Sequence, residues 1–186
     1  RYRRPARRFR QHPDGISELC RAWTEHSARV WLRDRQSKYG YDRKMPEIQS
    51  LYAQYAQEIC GVAGVINSRL QAAFSAVPRE RFIGEGPWNV LTADGGYFLT
   101  ASADPSELYR DTVVALIADK HVNNGQPSLH AACLDAAAPA PGDRVLHIGC
   151  GTGYYSAILS ELVGDDGQIE AFDLEPELVS RATSNL

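Results

Sequence analysis

The C-terminal third of the sequence predicts an α/β fold with parallel strands, preceded by a helical region. Residues 143–159, "DRVLHIGCGTGYYSAIL", pass from an apolar run through three alternate glycines into a helical pattern. A second β-prone run, "QIEAFDL", follows the turn "GDDG", and "PELVSRATSNL" then returns to helical spacing. A strand–helix–strand–helix order of this kind predicts parallel strands joined by a right-handed crossover.

Composition favours a soluble protein. The chain has 186 residues, of which 44% are hydrophobic, and no apolar run approaches the length of a transmembrane helix. We therefore expect a cytoplasmic protein with no membrane contact. Its cysteines, Cys20, Cys60, Cys133 and Cys150, form no CxxC pair and have no histidine at zinc-ligand spacing. This pattern predicts reduced structural thiols and no metal site.

Charge is unevenly distributed along the chain. Residues 1–44 carry a net charge of +8, and "RYRRPARRFR" alone holds six arginines. A basic segment of this kind can hold phosphates, but no folded nucleic-acid motif accompanies it, so we expect a solvated tail and no nucleic-acid partner. Met45 precedes a new helical pattern. The predicted units are a basic helical extension (1–44), a helical and β-hairpin region (45–120) and the first half of a cofactor-binding domain (121–186).

Helical patterns fill most of the chain before Pro78. The first covers residues 14–32 and includes Val30 on its apolar face, and the third, "NSRLQAAFSAV", covers residues 67–77. The second begins at Pro46, which suits a first helical turn. Its predicted inner face consists of Ile48, Leu51, Tyr52, Tyr55, Ile59, Val62 and Ile66.

The middle of the chain changes to turn formers and short β-prone runs between residues 84 and 120. Within it, "TVVALIA" (112–118) predicts a strand. The following "SLHAACLDAAA" (128–138) predicts a helix whose inner face holds Leu129, Cys133 and either Ala136 or Ala137.

The glycine loop predicts a ligand site. A strand that leaves a glycine turn as a helix places backbone N–H groups, and no side chains, beside a ligand. The dinucleotide fingerprint GxGxxG needs a small residue where this chain has Tyr154, so the pattern is GxGxG instead. Asp173 ends the next strand, where a carboxylate can accept both ribose hydroxyls. These features favour S-adenosylmethionine (SAM) over NAD; the alternative is a glycine turn that serves only strand–helix packing.

Four stretches resemble a known family. "AFSAVPRERFI", "LYRD", "GQPSLHA" and "VLHIGCGTGYYSAILSELVG" are similar to class I methyltransferases, and among these to the protein-L-isoaspartate O-methyltransferases, over residues 66–186. The resemblance implies a Rossmann-like fold, SAM as cofactor, glycines around its methionine end and Asp173 at its ribose. The predicted cofactor-binding residues are His147, Gly149, Cys150, Gly151, Gly153, Tyr154, Asp173 and Leu174.

Two positions depart from the family pattern. His147 stands where class I methyltransferases usually have an acidic residue, and Gly125 stands where the isoaspartyl enzymes have the serine of Ile-Ser-x-Pro. Changing Gly125 to serine is therefore expected to raise activity on isoaspartyl peptides. The candidate acceptor-site residues are Asn124, Gly125, Gln126 and Ser128. The alternative for this segment is a polar turn that caps the following helix, with Ser128 near the cap. His130 is interpreted as a packed or surface residue.

The chemistry that the resemblance implies needs no general base. A peptide carboxylate is already ionised at neutral pH, because free aspartate titrates near ~3.9. Alignment and partial desolvation can then carry the acceleration. The leading hypothesis is a SAM-dependent carboxyl methyltransferase that acts on an isoaspartyl group of a protein or peptide in a repair reaction. The alternatives are methylation of a different acceptor, such as an ordinary aspartate, and a noncatalytic SAM-binding or interaction module.

The sequence also predicts an incomplete sheet. A class I methyltransferase sheet has about seven strands, whereas residues 144–186 account for two strands and two helices. An apolar sheet face and an unpaired edge would remain exposed, which favours self-association. We expect these 186 residues by themselves to bind SAM weakly at most and not to turn over.

Overall fold

The computed structural model describes residues 28–31 and 46–186. The helices are α1 (Pro46–Val62), α2 (Ser68–Ala76), α3 (Glu80–Ile83), α4 (Pro127–Ala137), α5 (Tyr154–Val163) and α6 (Pro176–Asn185). The strands are β1 (Ala28–Trp31), β2 (Asn89–Leu91), β3 (Tyr97–Leu99), β4 (Ala115–Ile117), β5 (Val122–Asn123), β6 (Arg144–Ile148) and β7 (Gln168–Asp173).

The main sheet has the order β1-β7-β6. β6 and β7 are parallel, with Val145 opposite Ile169 and Ile148 opposite Phe172, as the sequence pattern predicts. Their carboxyl ends therefore lie side by side, and the glycine loop follows one of them while Asp173 ends the other. Parallel strands bring these two features to one sheet edge, where α/β folds bind their ligands.

The helices form an apolar layer against this sheet. The cluster includes Tyr55 and Ile59 of α1, Phe74 of α2, Ile158 of α5 and Ile169 of β7, all with at most 2% of their surface exposed. Burial of large aliphatic and aromatic side chains is the main stabilising contribution in such a core. The bounds of α2, β6, α5, β7 and α6 follow the sequence prediction closely.

The inner face predicted for α1 is wrong at its C-terminal end, where Val62 and Ile66 are exposed. Gly64 has φ +68°, and the N–H of Val65 donates to the Cys60 carbonyl, so the chain turns out of the helix after Val62. A residue with positive φ is a common helix terminator, and glycine adopts it at little cost. The 3.6-residue period could not continue through that turn.

The face predicted for α4 is also wrong. Leu129, Cys133, Ala136 and Ala137 are exposed. The buried side chains of this helix are those of Pro127, Ser128, Ala131 and Leu134. Ser128 is held inward by hydrogen bonds to Asp111, and this contact sets the rotation of the whole helix.

The N-terminal helix prediction is wrong at its last turn. Residues 28–31 form strand β1, which pairs antiparallel with β7 so that Ala28 lies opposite Asp173 and Trp31 opposite Glu170. Pairing with an open strand edge satisfies backbone groups that a helix would leave unpaired on β7. Residues 14–27, Leu32, the basic tail and Cys20 lie outside the described residues.

The region of short strands forms two hairpins. β2 pairs with β3, and β4 pairs with β5 through an irregular register around Ala115 and Ile117. The strand predicted over residues 112–118 is thus only three residues long. The β4–β5 hairpin approaches the glycine loop and carries the segment that precedes α4.

Candidate cofactor and acceptor site

The glycine loop between β6 and α5 depends on left-handed backbone conformations. Gly149, Gly151 and Gly153 have φ angles of +76°, +56° and +97°. Residues with a Cβ adopt this region rarely, so three alternate glycines allow the tight turn. The N–H groups of Gly149 and Cys150 both donate to the Phe172 carbonyl, at 2.8 and 2.9 Å, which joins the loop to β7.

Asp173 is buried and joins the loop to the end of β7. Its Oδ2 accepts the N–H of Gly151 at 2.7 Å, and its Oδ1 accepts the N–H of Glu175 at 3.0 Å. The two oxygens of a carboxylate offer about four lone-pair directions, so each oxygen retains capacity after one backbone bond. The residue predicted to bind ribose hydroxyls therefore also shapes the loop.

The open approach to the loop lies at Gly149. A Cβ placed there would meet no atom within 4 Å, whereas one at Gly151 would lie 3.0 Å from Leu116 Cδ1. A Cβ at Gly153 would lie 2.8 Å from Leu186 Cδ1. The open backbone at Gly149 and the Asp173 carboxylate, both joined to the end of β7, fit a ribose-bearing cofactor. Gly151 and Gly153 are packed against this chain's own side chains.

His147 lies on the face of β6 that points toward α5. Its Nδ1 is 2.8 Å from the hydroxyl of Ser156, a fully buried residue in the first turn of α5. Burial lowers the pKa of His147 to about 4, so the imidazole is neutral at pH 7. The histidine connects β6 to α5 across the glycine loop; its contact with a cofactor remains a prediction.

The other predicted cofactor residues differ in what they can offer. Cys150 is buried, and burial together with Asp173 raises the pKa of its thiol to about 12, so it stays protonated. The ring of Tyr154 lies in the core, 5.7 Å from the ring of Phe82, so only its backbone faces the loop. Leu174 is exposed just after Asp173 and is available to cover a ligand.

Several residues that hold the loop were not recognised in the sequence. Asn185 Nδ2 donates to the Thr152 carbonyl at 2.9 Å, and Arg181 donates to the carbonyls of Ile83 and Leu116. Lys120 forms an ion pair with Glu175 at 2.5 Å, which ties the β4–β5 hairpin to the end of β7. These are long-range contacts between polar side chains, and no local sequence pattern signals them.

The predicted acceptor segment is organised by Asp111. This carboxylate accepts the N–H of Ser128 at 2.8 Å, the hydroxyl of Ser128 at 2.7 Å and the amide of Gln126 at 2.9 Å. Ser128 is buried in the first turn of α4, where Asp111 supplies the cap, and a contact of Ser128 with the acceptor stays a prediction. Asp111 lies in the quoted "LYRD" motif, which could have indicated its importance.

The structure brings Asn124, Gly125 and His130 together. Asn124 Oδ1 accepts the N–H of Val114 at 2.8 Å. Gly125 has φ +71°, and the imidazole of His130 fills the space that a side chain at position 125 would occupy. His130 stacks on Tyr155 with ring centroids 3.7 Å apart, as its interpretation as a packed residue requires. Burial lowers its pKa, so this histidine is also neutral at pH 7.

Within residues 28–31 and 46–186, no helix has the length and apolar character needed to cross a membrane. The same part of the chain contains no group of three or more histidine, cysteine, aspartate or glutamate side chains placed to hold a metal ion.

Comparison with known proteins decides the family. The family model "Protein-L-isoaspartate(D-aspartate) O-methyltransferase (PCMT)" matches residues 59–186. The chain belongs to this family. Its members include a protein-L-isoaspartate O-methyltransferase of Ignicoccus hospitalis that is 36% identical over 86 residues, which cover 44% of this chain and 40% of that protein. A protein-L-isoaspartate O-methyltransferase 2 of Anaeromyxobacter sp. is 30% identical over 145 residues, covering 78% of this chain and 50% of that protein.

A solved structure supports the fold. A protein-L-isoaspartate O-methyltransferase matches with a TM-score of 0.55 and 26% identity, covering 71% of this chain and 37% of that one. The fold is therefore that of a class I methyltransferase, represented here in part. This chain spans half or less of the length of the relatives described above. SAM use is a property of the family.

Proposed function

We propose that this chain supplies the SAM site and the acceptor segment of an enzyme that methylates isoaspartyl carboxylates of proteins or peptides. The observation that carries the proposal is the junction of Asp173 with the glycine loop. Its carboxylate holds Gly151 in place and retains lone pairs beside the open backbone of Gly149. Family membership supplies the reaction class.

The proposed cofactor site uses Asp173 for the ribose and Gly149 as the point of close approach. Leu174 would cover the adenosine from the sheet edge. Cys150, Gly151, Gly153 and Tyr154 would contribute backbone only, since their side chains are absent or buried. His147 would act by holding β6 against α5 through Ser156.

The proposed mechanism relies on binding and orientation. SAM, when bound, supplies an electrophilic methyl group. The acceptor carboxylate is ionised at pH 7, so the residues of this chain need to remove no proton. Their contribution is to align the carboxylate and to exclude water, which strengthens electrostatic interactions in the site. His130 and His147 are both neutral at pH 7, so neither histidine brings a positive charge to the proposed site.

Gly125 favours one alternative acceptor. The resemblance places a serine here in the isoaspartyl enzymes, and in this chain the position is occupied by the ring of His130 instead. A different carboxylate, such as that of an ordinary aspartyl peptide, is therefore the second candidate. A noncatalytic SAM-binding role is the third, because the chain spans only part of its relatives. The first proposal includes a role in protein repair in the cytoplasm, with no membrane or nucleic-acid partner. It also includes the division of the chain into three units, residues 1–44, 45–120 and 121–186.

Calorimetry with SAM tests the cofactor site. We expect Asp173→Ala to weaken SAM binding by about 1–3 kcal/mol, because the ribose hydroxyls lose a carboxylate acceptor. Asp143→Ala is the matched control, since Asp143 also accepts a backbone N–H, that of Ala140, but precedes the opposite end of β6. Equal affinity of the wild type and the Asp173→Ala variant would remove Asp173 from the site.

A methyl-transfer assay separates the candidate functions. Isoaspartyl and aspartyl peptides of one sequence are offered with labelled SAM. Faster ester formation on the isoaspartyl peptide supports the first proposal, and the reverse order supports the second. SAM binding without transfer to either peptide supports a noncatalytic role of these 186 residues, which is also the outcome expected from their incomplete sheet.

A further inference from the structure

A fully buried arginine fixes the backbone on both sides of Asp111. Arg79 donates to the carbonyls of Leu108, Arg110 and Thr112, the last two at 3.0 and 2.5 Å. A buried guanidinium needs hydrogen-bond acceptors, and here its two terminal nitrogens donate to three carbonyls of one short segment, while its Nε has no partner among the described residues. The segment therefore curls around Arg79, and the position of Asp111 is set from the core.

Asp111 has two functions that the structure separates. Toward Ser128 it caps the first turn of α4, whose own N-cap residue, Gln126, makes no side-chain cap. Toward Gln126 it accepts an amide hydrogen from an exposed side chain. Capping the helix requires only the first of these contacts. The second immobilises a solvent-facing amide at the start of the acceptor segment.

The chemistry of Asp111 fixes which way that amide faces. Burial raises the pKa of Asp111, but the hydrogen bonds from Ser128 and Gln126 and the charge of Arg79 together outweigh it and lower the pKa, so the carboxylate is ionised at pH 7 and can only accept. Gln126 must therefore turn its NH₂ group toward Asp111 and its Oε1 away. No hydrogen bond to Oε1 is present among the described residues, and the side chain lies one residue from Gly125.

We propose that Asp111 is a positioning residue and that Gln126 Oε1 is a specificity-determining group that accepts a backbone N–H of the peptide acceptor. This inference rests on the proposed function, because it assigns a role within the same acceptor segment. A carboxylate carried on a peptide has an amide N–H close to it, whereas a free carboxylic acid has none. The oriented Gln126 amide thus selects peptides over small acids.

The test measures binding of two synthetic isoaspartyl peptides to the full 186-residue chain with S-adenosylhomocysteine present. The second peptide is N-methylated at the backbone nitrogen adjacent to the carboxylate, which removes the donor. We expect the wild type to bind the unmodified peptide about 5–10-fold more tightly, the worth of one hydrogen bond at a partly exposed site. Gln126→Ala should bind the two peptides equally.

Asp111→Asn distinguishes orientation from structure. Its Oδ1 can still accept from Ser128, but its Nδ2 would favour Gln126 in the flipped orientation, so discrimination between the peptides should also be lost. In a Gln126→Ala background, Asp111→Asn should change peptide affinity no further, although any structural effect on the melting temperature would persist. Asp94→Asn and Gln54→Ala are matched controls, because Asp94 accepts similar bonds in an exposed turn and Gln54 lies exposed on α1.

Each result has a defined meaning. Discrimination that survives Gln126→Ala overturns the inference alone. A wild type that binds SAM but neither peptide overturns both the inference and the isoaspartyl proposal. Loss of discrimination in Gln126→Ala and Asp111→Asn, with SAM affinity unchanged and both controls like the wild type, supports the assignment.

Discussion

At the scale of single residues, Gly125 and His130 share one space. The sequence comparison suggests that a serine at position 125 would restore a missing hydroxyl. The structure argues against a gain from that change alone, because the imidazole of His130 occupies the position of the new Cβ. A backbone φ of +71° adds strain for any residue with a side chain. The two positions have to be considered as a pair.

We expect Gly125→Ser to lower the free energy of unfolding by about 1–3 kcal/mol, from backbone strain and loss of the His130–Tyr155 stack. Peptide methylation should not increase. Urea denaturation measures the first quantity. Gly95→Ser is the control for strain alone, because Gly95 has φ +85° and nothing lies within 4 Å of its Cβ position. A Gly125→Ser cost no greater than that of Gly95→Ser would contradict the shared-space explanation, as would the absence of relief in a Gly125→Ser/His130→Ala variant.

At the scale of elements, local sequence patterns predicted the strands and helices of residues 144–186. They failed for elements whose orientation or pairing depends on residues distant in the sequence. The bounds of β6, α5 and β7 follow from apolar runs bounded by glycine turns, and the glycine loop with Asp173 was located from spacing alone. The inward face of α4 could not be predicted, since Asp111 sets its rotation from 17 residues away. The strand at residues 28–31 likewise depends on the open edge of β7, which no local pattern encodes.

Substitution of Arg79 measures how much this one buried side chain stabilises the 108–112 segment. We expect Arg79→Met to destabilise the protein by about 3–5 kcal/mol, because three carbonyls of the 108–112 segment lose their donor inside the core. Arg110→Met, on the exposed side of the same segment, should stay within about 0.5 kcal/mol of the wild type. Equilibrium unfolding in urea checks both. Similar stabilities for the two variants would mean that the segment is held by other contacts.

At the scale of the whole molecule, the side chains on the two faces of the main sheet differ in how far they are buried. Ile169 and Ala171 are buried toward the helical layer, whereas Leu146 and Ile148 on the opposite face of β6 are 50% and 56% exposed. Among the described strands, β6 pairs only with β7, so its other edge presents unpaired backbone groups. β1 covers the other edge of β7. The remaining edge and its apolar face are adjacent.

An apolar face next to an open strand edge favours association between copies of the chain. We expect sedimentation velocity to show a weight-average sedimentation coefficient that rises with protein concentration, and we expect Leu146→Ser/Ile148→Ser to reduce that rise. Phe98→Ser/Leu99→Ser is the matched control, because these side chains of the β2–β3 hairpin are similarly exposed, at 52% and 59%. If the control reduces association as much as the β6 variant does, general surface hydrophobicity is responsible, and the β6 face has no specific role. A concentration-independent coefficient for the wild type would mean that the uncovered face of β6 does not drive association.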